Sequence, residues 1–265
     1  MSLEPFIRHR LAERQALGEA PILLMSHLVL GHPSLDENRR VIDAMAGAGV
    51  ELMELQIPFS EPIADGPVIA QANQLSLDAG FRVADGLAFA REMVRRHPGV
   101  AFLIMTYANI LMAYGVERFM RAAAEMGMRG LIIPDWPPQV AGEPMGLCAE
   151  MGLDWVQLFT PTSTDERLGY IGGLARGFCY CVARKGVTGA HTDFNADLTQ
   201  FLSRCRQVTG VPLAVGFGVG TPADVAALCG QAEIAVVGTA AMRIHAEQGA
   251  EAVGAFFRGL RQGVA

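Results

Sequence analysis

Two carboxylates stand in the stretch ELMELQIPFSEPIADGPVI, residues 51–69. Glu54 interrupts an otherwise apolar run, and Asp65 sits in the Pro/Gly-rich segment behind it. A buried carboxylate is costly unless it is paired or protonated. Desolvation pushes such a group toward neutrality, which suits general acid–base chemistry. A plainer reading exists for each. Glu54 would also serve as the partner of a buried Arg or Lys, and Asp65 as a turn or cap residue before Gly66-Pro67.

A second set of residues suits phosphate. RKGVTGAHTDF (184–194), GFGVGTP (216–222) and VVGTAAMRI (236–244) each carry glycines next to an apolar run, and Gly238-Thr239 opens a short helical pattern. Glycine lets backbone N–H groups approach an anion, and a helix N-terminus favours negative charge. Tight turns would explain the same glycines. Tyr107 and Asn109, in MTYANI (105–110), read either as site residues or as a packed rim tyrosine and a turn. Tyr180 lies in an apolar run whose pattern leaves its facing undecided. The six histidines have no metal-ligand spacing, so no metal is expected. The cysteines at 148, 179, 181, 205 and 229 have none either, with Cys179 and Cys181 expected on opposite faces of a strand. Reduced thiols are the expectation.

The elements that must hold these residues alternate along the chain. Apolar runs fall at 21–30, 51–57, 101–106, 130–133, 155–159, 178–182, 212–215 and 234–237. Helical patterns follow at 35–47, within the segment up to 97, and at 116–126, 139–151, 165–174, 196–208, 222–229, 240–246 and 250–261, with one more at 3–17 ahead of them all. Eight strand–helix units predict a single (β/α)8 barrel over residues 1–265, with an extra N-terminal helix and a short extra helix after the eighth strand. An open doubly wound sheet competes, but LGHPSLD after the first run is not a dinucleotide fingerprint. In a barrel, Met53, Leu55 and Ile57 face the helices, which turns Glu54 and Gln56 into the lumen near the C-terminal mouth, where barrel active sites sit.

Composition narrows the function. With 51% hydrophobic residues and 18% charged, the chain supports a large core. A net charge of −6 argues against a nucleic-acid groove. The N-terminal MSLEPFIRHRLAERQ is too charged for a signal peptide, and no apolar run reaches membrane-span length. A soluble cytoplasmic protein is expected.

ELQIPFSEPIADGPVI, MTYANI, RKGVTGA, GFGVGTP and VVGTAAMRI occur in order at the ends of strands two, three, six, seven and eight, and with them the whole chain resembles the tryptophan synthase α subunits. The resemblance implies a cofactor-independent lyase that splits indole-3-glycerol phosphate into indole and glyceraldehyde 3-phosphate beside a β subunit. It implies Glu54, Asp65 and Tyr180 as catalytic residues and Gly189, Gly218, Gly238 and Thr239 as phosphate-binding positions. Phe217, Met105, Tyr107 and Thr188 then belong to the indole pocket and the lid over it.

Several positions depart from the family's usual residues. His27 stands where Phe is common, Val29 where Thr is, His32 where Asp is, Gln56 where Gly is, and Glu61 where Asp is. Val29 and Gln56 are expected to bear on indole packing, and His32 and Glu61 on coupling to a β partner. A free-standing lyase that releases indole, or a silent scaffold that only activates a β subunit, are the competing functions.

Overall fold

The computed structural model describes residues 2–182, 196–216 and 218–262. Its centre is one all-parallel sheet. The strands are β1 (Leu23–Val29), β2 (Leu52–Gln56), β3 (Ala101–Met105), β4 (Gly130–Ile132), β5 (Asp154–Trp155), β6 (Gln157–Phe159), β7 (Cys179–Val182), β8 (Leu213–Gly216) and β9 (Ile234–Val237), in the order β5-β4-β3-β2-β1-β9-β8-β7-β6. The two terminal strands of that order are halves of one stave. β5 pairs with β4, β6 pairs with β7, and Val156 between them donates its N–H to Leu131 O at 2.9 Å. The sheet therefore closes through the chain itself into an eight-staved barrel. The fifth apolar run is the divided stave, and the sixth to eighth runs are β7 to β9.

The helices are α1 (Leu3–Ala16), α2 (Leu35–Gly47), α3 (Pro67–Asp78), α4 (Val83–Arg96), α5 (Ala108–Tyr114), α6 (Val116–Glu125), α7 (Gly142–Glu150), α8 (Asp165–Leu174), α9 (Ala196–Val208), α10 (Pro222–Leu228), α11 (Thr239–Gln248) and α12 (Ala250–Gln262). Local chemistry starts several of them. Ser34 and Thr164 accept N–H bonds from Glu37 and Arg167 at the starts of α2 and α8, and Thr221 with Asp224 forms a capping box before Pro222. Two features depart from the expected pattern. The segment around Asn109, read as a turn, is the helix α5, and α11 runs two residues past the expected end at 246. No helix among the described residues is long and apolar enough to cross a membrane.

Side-chain alternation builds two cores. Leu24, Leu28, Met53, Leu55, Phe102, Ile104, Val215 and Val237 face the helices, while Leu23, Met25, Leu52, Leu103, Phe178, Ala214 and Ile234 fill the lumen. Cys179 and Cys181 both belong to the helix-facing core, against the expectation of opposite faces. Residues two apart on a strand share a face, and Tyr180 between them is the one that turns inward.

The N-terminal end of the barrel is stoppered by α1. Leu3, Phe6 and Ile7 join the lumen core, and Asp154 accepts the Leu3 N–H at 2.8 Å. Gly130 and Gly177 make room for this, because a Cβ on either would crowd Leu3. Among the described residues the lumen is thus filled by side chains at the base, and a cavity opens toward the strands' C-terminal ends.

Candidate active site

Glu54 lies on the lumen side of β2, 3% exposed. Its neighbour in register on β1 is His27. The ring's Nδ1 sits 3.2 Å from Glu54 Oε1, and both side chains are buried. Glu54 Oε2 and His27 Nε2 have no hydrogen-bond partner among the described residues. Burial pulls the imidazole pKa down, but the Glu54 charge and hydrogen bond, helped by Asp65 and Gln56, outweigh it and hold the ring above its ordinary value.

Asp65 follows the turn closed by its own N–H to Pro62 O at 2.9 Å. It does not cap α3. Gly66 holds the cap position with no side-chain bond, and Pro67 takes the first helical position. The carboxylate turns back to the barrel instead. Its Oδ2 accepts from Gln56 Nε2 at 2.6 Å and from Tyr107 Oη at 3.0 Å. Tyr107 also accepts the Ala64 N–H at 3.2 Å and stacks on Phe59, ring centroids 5.0 Å apart. Burial raises the Asp65 pKa, while His27 and the two donors oppose the rise.

Glu54 and Asp65 open onto one cavity of about 750 Å³. Met105, Ile132, Leu158 and Val236 give it apolar walls, and Tyr180 enters from β7. Tyr180 lies over Gly216 of β8, where a Cβ would collide with its ring. Burial, followed by the nearby Glu54 and Asp65 charges, raises the Tyr180 pKa well above the ordinary phenol value, so the hydroxyl stays protonated.

The opposite wall is backbone. Gly218, at φ +96°, and Gly238, Thr239 and Ala240 at the start of α11 all line the cavity. The amides of Gly220 and Thr221 are occupied by Asp224 Oδ2 at 2.9 and 2.8 Å. The turn at Gly218 and the first turn of α11, which has no side-chain cap, complete this backbone wall, and a helix N-terminus favours negative charge. Arg243 lines the same wall. The described residues include no cluster of three or more His, Cys, Asp or Glu able to hold a metal.

A family model described as tryptophan synthase alpha chain matches residues 14–258. The chain belongs to the tryptophan synthase alpha chain family. The alpha chain of Desulfotalea psychrophila is 47% identical over 261 residues, which is 98% of this chain and 100% of that one. That of Syntrophotalea carbinolica is 46% identical over 259 residues, again 98% and 100%. Among solved structures, tryptophan synthase of Mycobacterium tuberculosis matches with a TM-score of 0.88 at 32% identity, over 99% of this chain and 97% of that one. A chain of the Pyrococcus furiosus tryptophan synthase α2β2 complex matches at 0.82 and 31% identity, over 91% and 97%.

Of the residues singled out in the sequence, Glu54, Asp65, Tyr180, Met105, Gly218, Gly238 and Thr239 line one cavity. Tyr107 is fully buried behind Asp65 rather than on the cavity wall. Val29 is also off the wall, packed with Ile69 and Ala72, and Gln56 bears on the site from behind, through Asp65 and His27. Thr188, Gly189 and Phe217, with the expected lid at 184–194, lie outside the described residues. Sequence reasoning gave no site role to Arg243, nor to His27, which it noted only as a departure from the family's usual residue. Arg243 is one helical turn past Thr239, so spacing puts both on one face of α11. His27 shares the lumen face of β1 with Met25, a parity the apolar run conceals.

Proposed function

We propose that this chain cleaves indole-3-glycerol phosphate to indole and glyceraldehyde 3-phosphate as the α subunit of a cytoplasmic tryptophan synthase. The observation that carries this is the cavity itself. Two carboxylates of different environment stand on one side, an anion-facing pair of turns on the other, and apolar walls between. An indole ring fits the apolar part with its N–H toward Asp65, and a phosphate fits the first turn of α11 and the Gly218 turn.

The chemistry divides between the carboxylates. Protonation of indole C3 places positive charge at the ring nitrogen, and ionised Asp65 stabilises it by accepting the N–H. Glu54 donates the C3 proton, then takes the proton of the hydroxyl on the adjoining carbon. The bond between that carbon and C3 breaks, its electron pair returns to the ring, and an aldehyde is left. One proton enters the substrate and one leaves, so Glu54 ends as it began. Two carboxyls held in different surroundings are how one site does acid and base work. Gln56 and Tyr107 fix the Asp65 carboxylate, and phosphate binding at the far wall orients the bond to be broken.

A β partner fits the mouth. Ile63, Met112 and Val140 are 72%, 56% and 68% exposed on the segments that leave β2, β3 and β4, which are neighbours in the sheet. Exposed apolar side chains grouped this way mark an interaction surface.

The test is release of indole from indole-3-glycerol phosphate, with and without a tryptophan synthase β subunit. Turnover that rises strongly with the β subunit is the expected result. High turnover alone would make the chain a free-standing lyase. No turnover in either condition overturns the reading and leaves a silent scaffold.

A further inference from the structure

His27 is a buried imidazole in the cavity that the proposed chemistry has not used. It stands beside Glu54 in register, its Nδ1 is 3.2 Å from Oε1, and each partner keeps one buried polar atom unbonded among the described residues. An orphaned buried polar atom costs free energy, and both of these belong to side chains that line the cavity. Gly238 contributes to this placement, since a Cβ there would crowd the His27 Cβ at 3.3 Å. The ring therefore lies between Glu54 and the turn that opens α11.

We propose that His27 and Glu54 work as one proton-sharing pair, in which Nδ1 of His27 holds Oε1 of Glu54 and leaves Oε2 to exchange protons with the substrate. This rests on the lyase reading above. At the start the ring carries Nδ1–H and the pair holds one further, transferable proton. Glu54 gives it to indole C3, and the carboxylate left behind is stabilised by Nδ1–H of the ring. It then takes the hydroxyl proton of the adjoining carbon as the carbon–carbon bond breaks, so the pair regains the proton it gave. Between turnovers that proton is free to reside on either member, which keeps Glu54 supplied. His27 is thus a positioning residue that acts through Glu54.

The groups that act on the ring are Glu54 and Gln56 on β2 and Asp65 in the following loop, with Tyr107 bonded to Asp65, while Tyr180 on β7 and Arg243 on α11 line the same cavity. Glu54 is the largest of the influences that favour the charged ring, and burial opposes it. Removing the Glu54 charge should therefore lower the ring's titration midpoint.

The experiment has two readouts. NMR titration of the His27 ring, assigned by the signal lost in His27→Phe, should give a midpoint above 6.5 in the wild-type chain. In Glu54→Gln the midpoint should drop by about one unit or more. Indole release by the complex with a β subunit should show kcat down about tenfold in His27→Phe and also in His27→Asn, with KM within about twofold. Asn keeps a donor at the Nδ1 position but cannot share a proton. A midpoint that ignores Glu54→Gln overturns the pairing, and wild-type kcat in His27→Asn overturns proton sharing. Failure of the wild-type complex to release indole sinks the lyase reading instead, and the titration still reports on the pair.

Discussion

Glu51 and Glu54 are three residues apart, and both carboxylates are almost wholly buried, at 2% and 3% exposure. They live in opposite conditions. Glu51, at the N-terminal end of the barrel, accepts from Arg261 at 2.6 Å and from the Leu24 N–H at 2.9 Å, with Arg14 at 3.7 Å. Arg261 in turn also donates to Gly49 O, and Arg14 to Ala20 O. Glu54, toward the mouth, has one imidazole and an oxygen with no partner among the described residues. A carboxylate surrounded by guanidinium and amide donors has its acceptors filled from within the fold and ties strands to the terminal helices. A carboxylate left partly unsatisfied over a cavity is held ready for a partner that is not part of the fold. The two ends of one short stave thus show how the same residue type serves stability at the base and chemistry at the mouth.

The sharpest way to break that comparison is to neutralise the mouth pair. Glu54→Gln and Asp65→Asn should each cost several kcal/mol of transition-state stabilisation, about a hundredfold or more in kcat, with the fold retained. Near-normal indole release by Glu54→Gln would remove it from the chemistry. The next effect belongs to the base. Glu51→Gln leaves Arg261 and Arg14 short of a buried countercharge, and breaking such a pair costs about 3 kcal/mol here, the lower end because both guanidinium groups reach some solvent. Denaturant unfolding should show that loss, while kcat per folded molecule stays unchanged. Activity lost without stability would reverse the assignment of the two ends.

How much of this contrast could be read beforehand differs by feature. The barrel follows from eight apolar runs with helical patterns between them, because period-2 and period-3.6 patterning survive in single sequences. Glu54 is legible because a carboxylate inside a buried strand violates that pattern. Glu51 violates it no less, yet its partner Arg261 is 210 positions away, and no local spacing announces a closure between the two ends of the chain. His27 is hidden for the same reason. Its role depends on which residue of β2 lies beside it, and register is a tertiary fact. The glycine turns and the Asp65 loop are local, so their part of the cavity was visible. Tyr107 was visible as a residue near the site, but its place behind Asp65 was not, since that depends on how the loop after β2 folds back.

The support behind Asp65 gives a smaller effect. Tyr107→Phe removes one of the two donors to Oδ2 and with it part of what opposes the burial-driven rise in the Asp65 pKa. The ionised form accepts the indole N–H, so activity is present above the folded-state pKa and is lost as pH falls through it. That pKa already lies above 3.8, and losing a donor moves it further up. The acid limb of the kcat/KM profile should therefore shift upward by about half to one pH unit. A limb that stays in place would mean that some other group sets it.

The smallest effect is also the one in which the two ends should differ in sign. Asp65 has a folded-state pKa raised by burial, so the folded chain favours its protonated form more than the unfolded chain does. Its contribution to stability is fully present below the unfolded pKa and is lost as pH rises through the folded one, leaving a net cost at neutral pH. Asp65→Asn removes that cost. The Asn carbonyl can still accept from both Gln56 and Tyr107, so no buried donor is orphaned. Melting temperature at neutral pH should rise slightly, on the order of 2 °C, while the gain disappears in acid. Glu51→Gln lowers the same melting temperature. If Asp65→Asn lowered it as well, the carboxylate at the mouth would be a structural element like its counterpart at the base, and its place in the cavity would need another explanation.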